Sequence, residues 1–295
     1  MFISVLVFVS CTQTVKQKEK NDHEFKKAKS KNSGLKFSFN SEAGRIIFYG
    51  LYSPVEISNI LGKSNIEYAP EFFLPVENAS QYTSSSKIAV NLGVYGADFS
   101  MTKMFENTED AVKIMDVIYS LSDKLGIPSD LISGSANRVE QNFADMDSLA
   151  QISYQTFEMV TDYLVDNGRE SAVSLILLGG WIEGLYISTM YLNNQNEPNQ
   201  ALIEKIIEQK YSLYFLMAVL KNHYNDPAVA YYHRLLKVLH NHFENLVIKY
   251  KEGQMDIDAK HKLIKSDWNQ YLYSTEEIDK ITTIVKTLRE IVTES

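Results

Sequence analysis

The chain of 295 residues is 45% hydrophobic, 22% charged and 12% aromatic, a globular composition with enough apolar side chains to bury a sizeable core. Six prolines and 13 glycines exclude a collagenous, disordered or turn-dense all-β chain, and one cysteine excludes a disulfide framework or a cysteine-rich metal module. The formal charge of −8 is uneven: residues 12–40 carry eight lysines against three acids, so residues 41–295 hold −13, a body that repels nucleic acid.

Phe2 to Val9 is apolar apart from Ser4 and leads through Ser10 to Cys11. A small residue before the sole cysteine, at the end of an apolar run, has the arrangement of a bacterial lipoprotein signal. Residues 1–10 are therefore expected to be a signal peptide and Cys11 the lipid-bearing mature N-terminus. No Lys or Arg precedes the run, which a start placed too far downstream would explain. Residues 11–40 read as a Lys-rich solvated tether that lets a domain over 41–295 stand off from the bilayer. The alternatives are a stray apolar start with a free or buried Cys11, and an arm that itself touches anionic lipid.

The rest reads as helices. Ser53-Pro54-Val55-Glu56 is a capping box with proline at the first helical position. Glu67 to Tyr82, with Pro70 and Pro75, is a loop. Ser85 to about Met104 is a helix with Ala89, Gly93 and Ala97 on one stripe, so another backbone can approach it closely and it should be central. Asn107 or Thr108 caps the next helix, which stops at Gly126. Ser129 opens a helix to about Phe143, and Asp147 to Asn167 forms another, stopped by Gly168. Glu170 to Leu192 is apolar nearly all round. It is long enough to span a bilayer, but Glu183 near its middle favours the buried centre of a bundle. Pro198 to about Asn222 and Asp226-Pro227 to about Lys251 are further helices. Gly253 to Trp268 is a polar connection, and Ser274-Thr275-Glu276-Glu277 caps the last amphipathic helix. Arg45 to Leu51 is the only plausible strand. The fold class expected is all-α, a single bundle of about eight helices around a central apolar one.

Three stretches, Ser53-Pro54-Val55-Glu56, Ala89 to Asp98 and Gly179 to Tyr186, resemble a family of uncharacterised envelope lipoproteins from Bacteroidetes-type bacteria. The resemblance runs over most of the chain after the tether. It implies a lipid-anchored helical domain and carries no established activity. In that group, surface-displayed members tend to have acids directly after the cysteine. Thr12-Gln13-Thr14-Val15-Lys16 has none, which implies the periplasmic face of the outer membrane.

Asp98 and Glu183 lie in the two helices expected to be central, where a carboxylate needs a partner or a raised pKa. With Tyr95 and Trp181 they form a candidate pocket for a polar or cationic ligand. The plainer reading is that each acid satisfies a helix end or an arginine such as Arg138 or Arg169. Five of the six histidines fall between His223 and His261. Only Glu244, four after His240, offers a second ligand, so they read as surface histidines and no metal or other cofactor is expected. Asp147-Ser148-Leu149 weakly resembles an O-glycosylation acceptor. No nucleophile elbow, phosphate loop or dinucleotide fingerprint is present. The first hypothesis is a non-enzymatic envelope lipoprotein that binds a small ligand or a protein partner. The second is a carboxylate-based or metal-assisted periplasmic enzyme using Glu183 and Asp98.

Overall fold

A computed structural model describes residues 66–134, 146–195, 197–249, 256–258, 263–265 and 270–294. Cys11, the tether, the capping box at Ser53, the strand expected at Arg45 to Leu51, and Arg138 lie outside the described residues. Seven long helices are described: α1 Ser85–Met104, α2 Thr108–Lys124, α3 Met146–Asp166, α4 Glu170–Asn193, α5 Gln200–Asn222, α6 Pro227–Glu244 and α7 Thr275–Thr293. Residues 129–134 are helical as well. The fold is a mostly helical bundle around a central apolar helix.

The caps follow from local chemistry. Ser84 Oγ accepts from Lys87 N at 3.3 Å, Asn107 Oδ1 from Asp110 N at 3.1 Å, and Asp226 Oδ1 from Ala228 N at 2.9 Å. Ser274 Oγ accepts from Glu277 N at 3.2 Å, but the Glu277 carboxylate turns to His242 at 2.6 Å instead of back to Ser274, so the capping box is half made. Asn199 caps α5 through Leu202 N at 3.1 Å, and the helix starts two residues after Pro198. At the other ends, Gly126 and Gly168 take φ of 69° and 68° and close α2 and α3 in the left-handed conformation glycine allows.

Helix α4 is the centre: 19 of its 24 residues are buried, and it packs against α1, α3, α5, α6 and α7. It is long and apolar enough to cross a membrane, yet those apolar residues are covered by protein. The contact with α1 is set by glycine. A Cβ on Gly93 would lie 1.9 Å from the Ile176 carbonyl oxygen, and one on Gly179 would lie 1.8 Å from that of Val90. The small-residue stripe of α1 thus meets a glycine pair of α4, backbone against backbone. Ala89 to Asp98 and Gly179 to Tyr186 are the two sides of this crossing.

Two expectations are corrected. Helix α6 ends at Glu244, not near Lys251, because Val247–Lys249 forms a strand, β1, that pairs antiparallel with β4, Gln270–Leu272. Leu246 is buried and anchors this departure. The connection from Gly253 to Trp268 contains a second antiparallel pair, β2 Asp256–Asp258 with β3 Leu263–Lys265. Upstream, the loop expected over Glu67 to Tyr82 is built on two 3-10 turns, Pro70–Phe72 and Val76–Gln81.

Candidate functional site

At the crossing of α1 and α4 the structure brings Asp98 and Glu183 together with Arg289 of α7. Glu183 is fully buried and accepts two parallel hydrogen bonds from Arg289, Nε to Oε2 at 3.0 Å and Nη2 to Oε1 at 3.1 Å. The guanidinium carbon lies over the Tyr186 ring, 4.7 Å from its centroid. The partner is therefore neither of the arginines singled out from sequence. Arg169 donates to the Leu125 carbonyl and closes the end of α2.

Asp98 is also fully buried, and its Oδ2 accepts from Leu74 N at 3.1 Å, which fastens the segment 66–82 to α1. No donor reaches Oδ1. The Glu183 carboxylate interacts with Asp98 and offers only acceptors, so a hydrogen bond between the two acids requires a proton on one of them. Burial, and then the charge on Glu183, push Asp98 well above the usual carboxylate range. Burial raises Glu183 too, but the charge and hydrogen bonds of Arg289 pull it back, so Glu183 ionises more readily than Asp98. A proton on Asp98, with Arg289 on Glu183, would leave the pair neutral.

Tyrosines enclose the cluster. Tyr95 is buried and donates to the Pro75 carbonyl at 2.8 Å, and Tyr82 donates to the Thr293 carbonyl at 2.9 Å. Burial raises both hydroxyls, so neither ionises near neutral pH. Tyr82 belongs to a second set that sequence reasoning missed. With Asn91, which donates to the Val292 carbonyl at 3.1 Å, and Lys87, which donates to the carbonyls of Ile291 and Glu294, it closes the C-terminal end of α7. A cation at that end also meets the negative pole of the helix.

Trp181 stands apart. It is two residues from Glu183, about 200° around the helix axis, and its Nε1 donates to Gln209 Oε1 of α5 at 3.2 Å. Of the four candidate pocket residues, Tyr95, Asp98 and Glu183 converge and Trp181 faces another neighbour. The histidine expectation also needs correcting: His233 is buried, its ring 5.0 Å from Tyr224, and burial lowers its pKa. His240 lies 3.7 Å from Glu244. Among the described residues, no group of three His, Cys, Asp or Glu side chains is placed to hold a metal ion.

A neutral carboxyl beside a carboxylate is the apparatus of general acid–base chemistry, but such a group must come within about 3 Å of a reacting atom. Asp98 and Glu183 are both sealed at 0% exposure. This geometry holds charge in place and joins three helices. No family model, curated protein or solved structure matches the chain.

Proposed function

We propose that the chain is a lipid-anchored envelope protein of the Bacteroidetes type, held through Cys11, whose all-α domain binds and does not catalyse. The carrying observation is the closure of the acid pair. Glu183 is spent on Arg289, Asp98 on Leu74 and Glu183, and both carboxyls are sealed from solvent. That arrangement counts against the carboxylate-based enzyme, which needs an acid open to substrate. The divergence of Trp181 from the acids weighs against a small-ligand pocket between them, and leaves the outer surface as the place where the domain meets a partner. The apolar run, Cys11 and the Lys-rich segment after it support the anchor and a position at the periplasmic face of the outer membrane.

Native mass spectrometry of the full chain from its own host, in mild detergent, tests the anchor. An N-terminal mass beginning at an acylated Cys11 supports it, and an unmodified cysteine refutes it. The Cys11→Ala chain should leave membranes in a wash of about 1 M salt, where the screening length falls to about 3 Å, whereas the parent needs detergent. Helical content should be unchanged. A Cys11→Ala chain that resists the wash would sink the anchor.

A further inference from the structure

We propose that the outward face of α5 and α6 docks the domain onto an anionic membrane surface. Among the described residues nine large hydrophobic side chains are exposed, and all but Val112 lie on α5, α6, the turn between them or the β1–β4 ribbon. Such clustering on neighbouring elements marks an interaction surface, whereas scattered exposed apolar residues mark nothing. On α5, Tyr211, Tyr214, Phe215 and Ala218 recur at three- and four-residue spacing and form one exposed face. Helix α6 runs back antiparallel beside it. Its C-terminal end meets the middle of α5, where Lys210 Nζ donates to the Leu246 carbonyl at 3.0 Å, and its exposed residues include Tyr231, Arg234, Lys237 and Val238.

Charge selects the occupant. In a body of −13, residues 209–243 contain Lys210, Lys221, Arg234 and Lys237 against a single acid, Asp226. Asp226 is engaged as the cap of α6. The acids that border the stretch are also engaged: Glu208 with Lys205 at 3.2 Å and Tyr271 at 2.6 Å, Glu244 with Lys210 at 3.6 Å. A second copy of this face would set cations against cations. Lysine is depleted from protein–protein interfaces, whereas tyrosine with lysine suits the headgroup layer of an anionic bilayer. The inference rests on the anchored reading only in naming the chain's own membrane as the nearest one.

The test uses the full-length, unacylated Cys11→Ala chain. Vesicles of phosphatidylcholine with phosphatidylglycerol are compared with vesicles of phosphatidylcholine alone. With Phe215→Trp as reporter, emission should shift to the blue on the anionic vesicles only. Arg234→Gln with Lys237→Gln should weaken partitioning roughly twenty-five-fold, at about fivefold per cation, and Tyr214→Ser with Val238→Ser, which leaves the reporter in place, should weaken it independently. The Lys-rich arm is present throughout, so partitioning that both pairs of substitutions leave unchanged belongs to the arm and overturns the proposal. Equal binding to both vesicle types overturns it as well. So does a chain that stays off the vesicles and self-associates through Phe215. Failure here with an acylated Cys11 in the native mass removes only the docking face. An unmodified Cys11 with intact vesicle binding removes only the anchor.

Discussion

Replacing Asp98 by asparagine asks whether the buried acids share one proton. Unfolded aspartate ionises near pH ~3.9, whereas burial and Glu183 make the folded state hold the proton to higher pH. Between those two values the unfolded chain binds fewer protons, so this group makes stability fall as pH rises, by about 1.4 kcal/mol per unit. Below the interval both states are protonated and the contribution vanishes. Above the folded value both are ionised and the loss stops growing. The substituted amide has no such proton to hold. Its oxygen can keep the bond to Leu74 N, and its NH2 group supplies the donor that Glu183 otherwise takes from a protonated acid. The Asp98→Asn chain should therefore match the parent near pH 4 and exceed it increasingly toward neutral pH.

Glu183→Gln should behave in the opposite way. It removes the charge that matches Arg289, and breaking a buried pair costs about 3–5 kcal/mol. Asp98 can ionise beside Arg289 and soften that loss, so the single change should cost about 2–3 kcal/mol and the double change the full amount. Urea unfolding of the four chains from pH 4 to 8 reads all of this. An Asp98→Asn chain less stable than the parent at pH 7, or one with an unchanged pH slope, would refute the shared proton. Additive single changes would refute the relief by Asp98.

Two further predictions concern backbone. Gly93→Ala should destabilise by about 3 kcal/mol or more, since the new methyl meets a carbonyl oxygen that cannot move without parting two helices. Gly96→Ala, three residues on in the same helix with nothing within 4 Å, should stabilise by about 0.5–1 kcal/mol. Equal effects in thermal unfolding would refute the close crossing. Glu106 ends α1 at a φ of 56°, with Glu106 N bonded to the Lys103 carbonyl at 2.9 Å and Asn107 N to that of Thr102 at 3.2 Å. A glycine fits this closing turn without strain, so Glu106→Gly should stabilise by about 0.5–1 kcal/mol. A loss on denaturation would show that the Glu106 side chain contributes something the backbone argument omits.

Helix starts were legible at Asn107, Asp226 and Ser274 because these side chains bond a free N–H two or three residues on. The end of α6 was not. Its apolar spacing continues through Leu246 and Ile248 with no glycine or proline to stop it, and a three-residue strand is too short to show alternation. What ends the helix is pairing of Ile248 with Tyr271, a contact 23 positions away in sequence. The two acids were legible as residues out of place in apolar helices. Their partner was less so, because an arginine in an amphipathic last helix passes for its solvent face. Arg289 nevertheless falls four residues after Val285 and three before Val292, both buried, so it sits on the core stripe and implied a buried acid. Trp181 misled through adjacency in sequence, since residues two apart on a helix look at different neighbours.

The glycine contact and the acid triad are one piece of design. Because Gly93 and Gly179 carry no side chains, α1 and α4 touch along their backbones, and polar groups a turn or so further on are forced into one another's company. Two carboxylates there cannot both be charged, and water cannot reach them. A proton on Asp98 and Arg289 on Glu183 resolve the conflict, and the arginine comes from the last helix in the chain. Its fork admits one register: a slip of α7 by one turn, about 5.4 Å, would carry the guanidinium off both carboxylate oxygens and off Tyr186. The same slip would take the end of α7 away from Tyr82, Lys87 and Asn91. A hydrophobic core could match or exceed this triad in stability, so its value lies in orientation. It fixes where α7 lies, α7 supports α6 through the contact of Glu277 with His242, and α6 presents the exposed basic and aromatic face. On this argument the buried acids serve the surface indirectly, by holding still the helices that carry it.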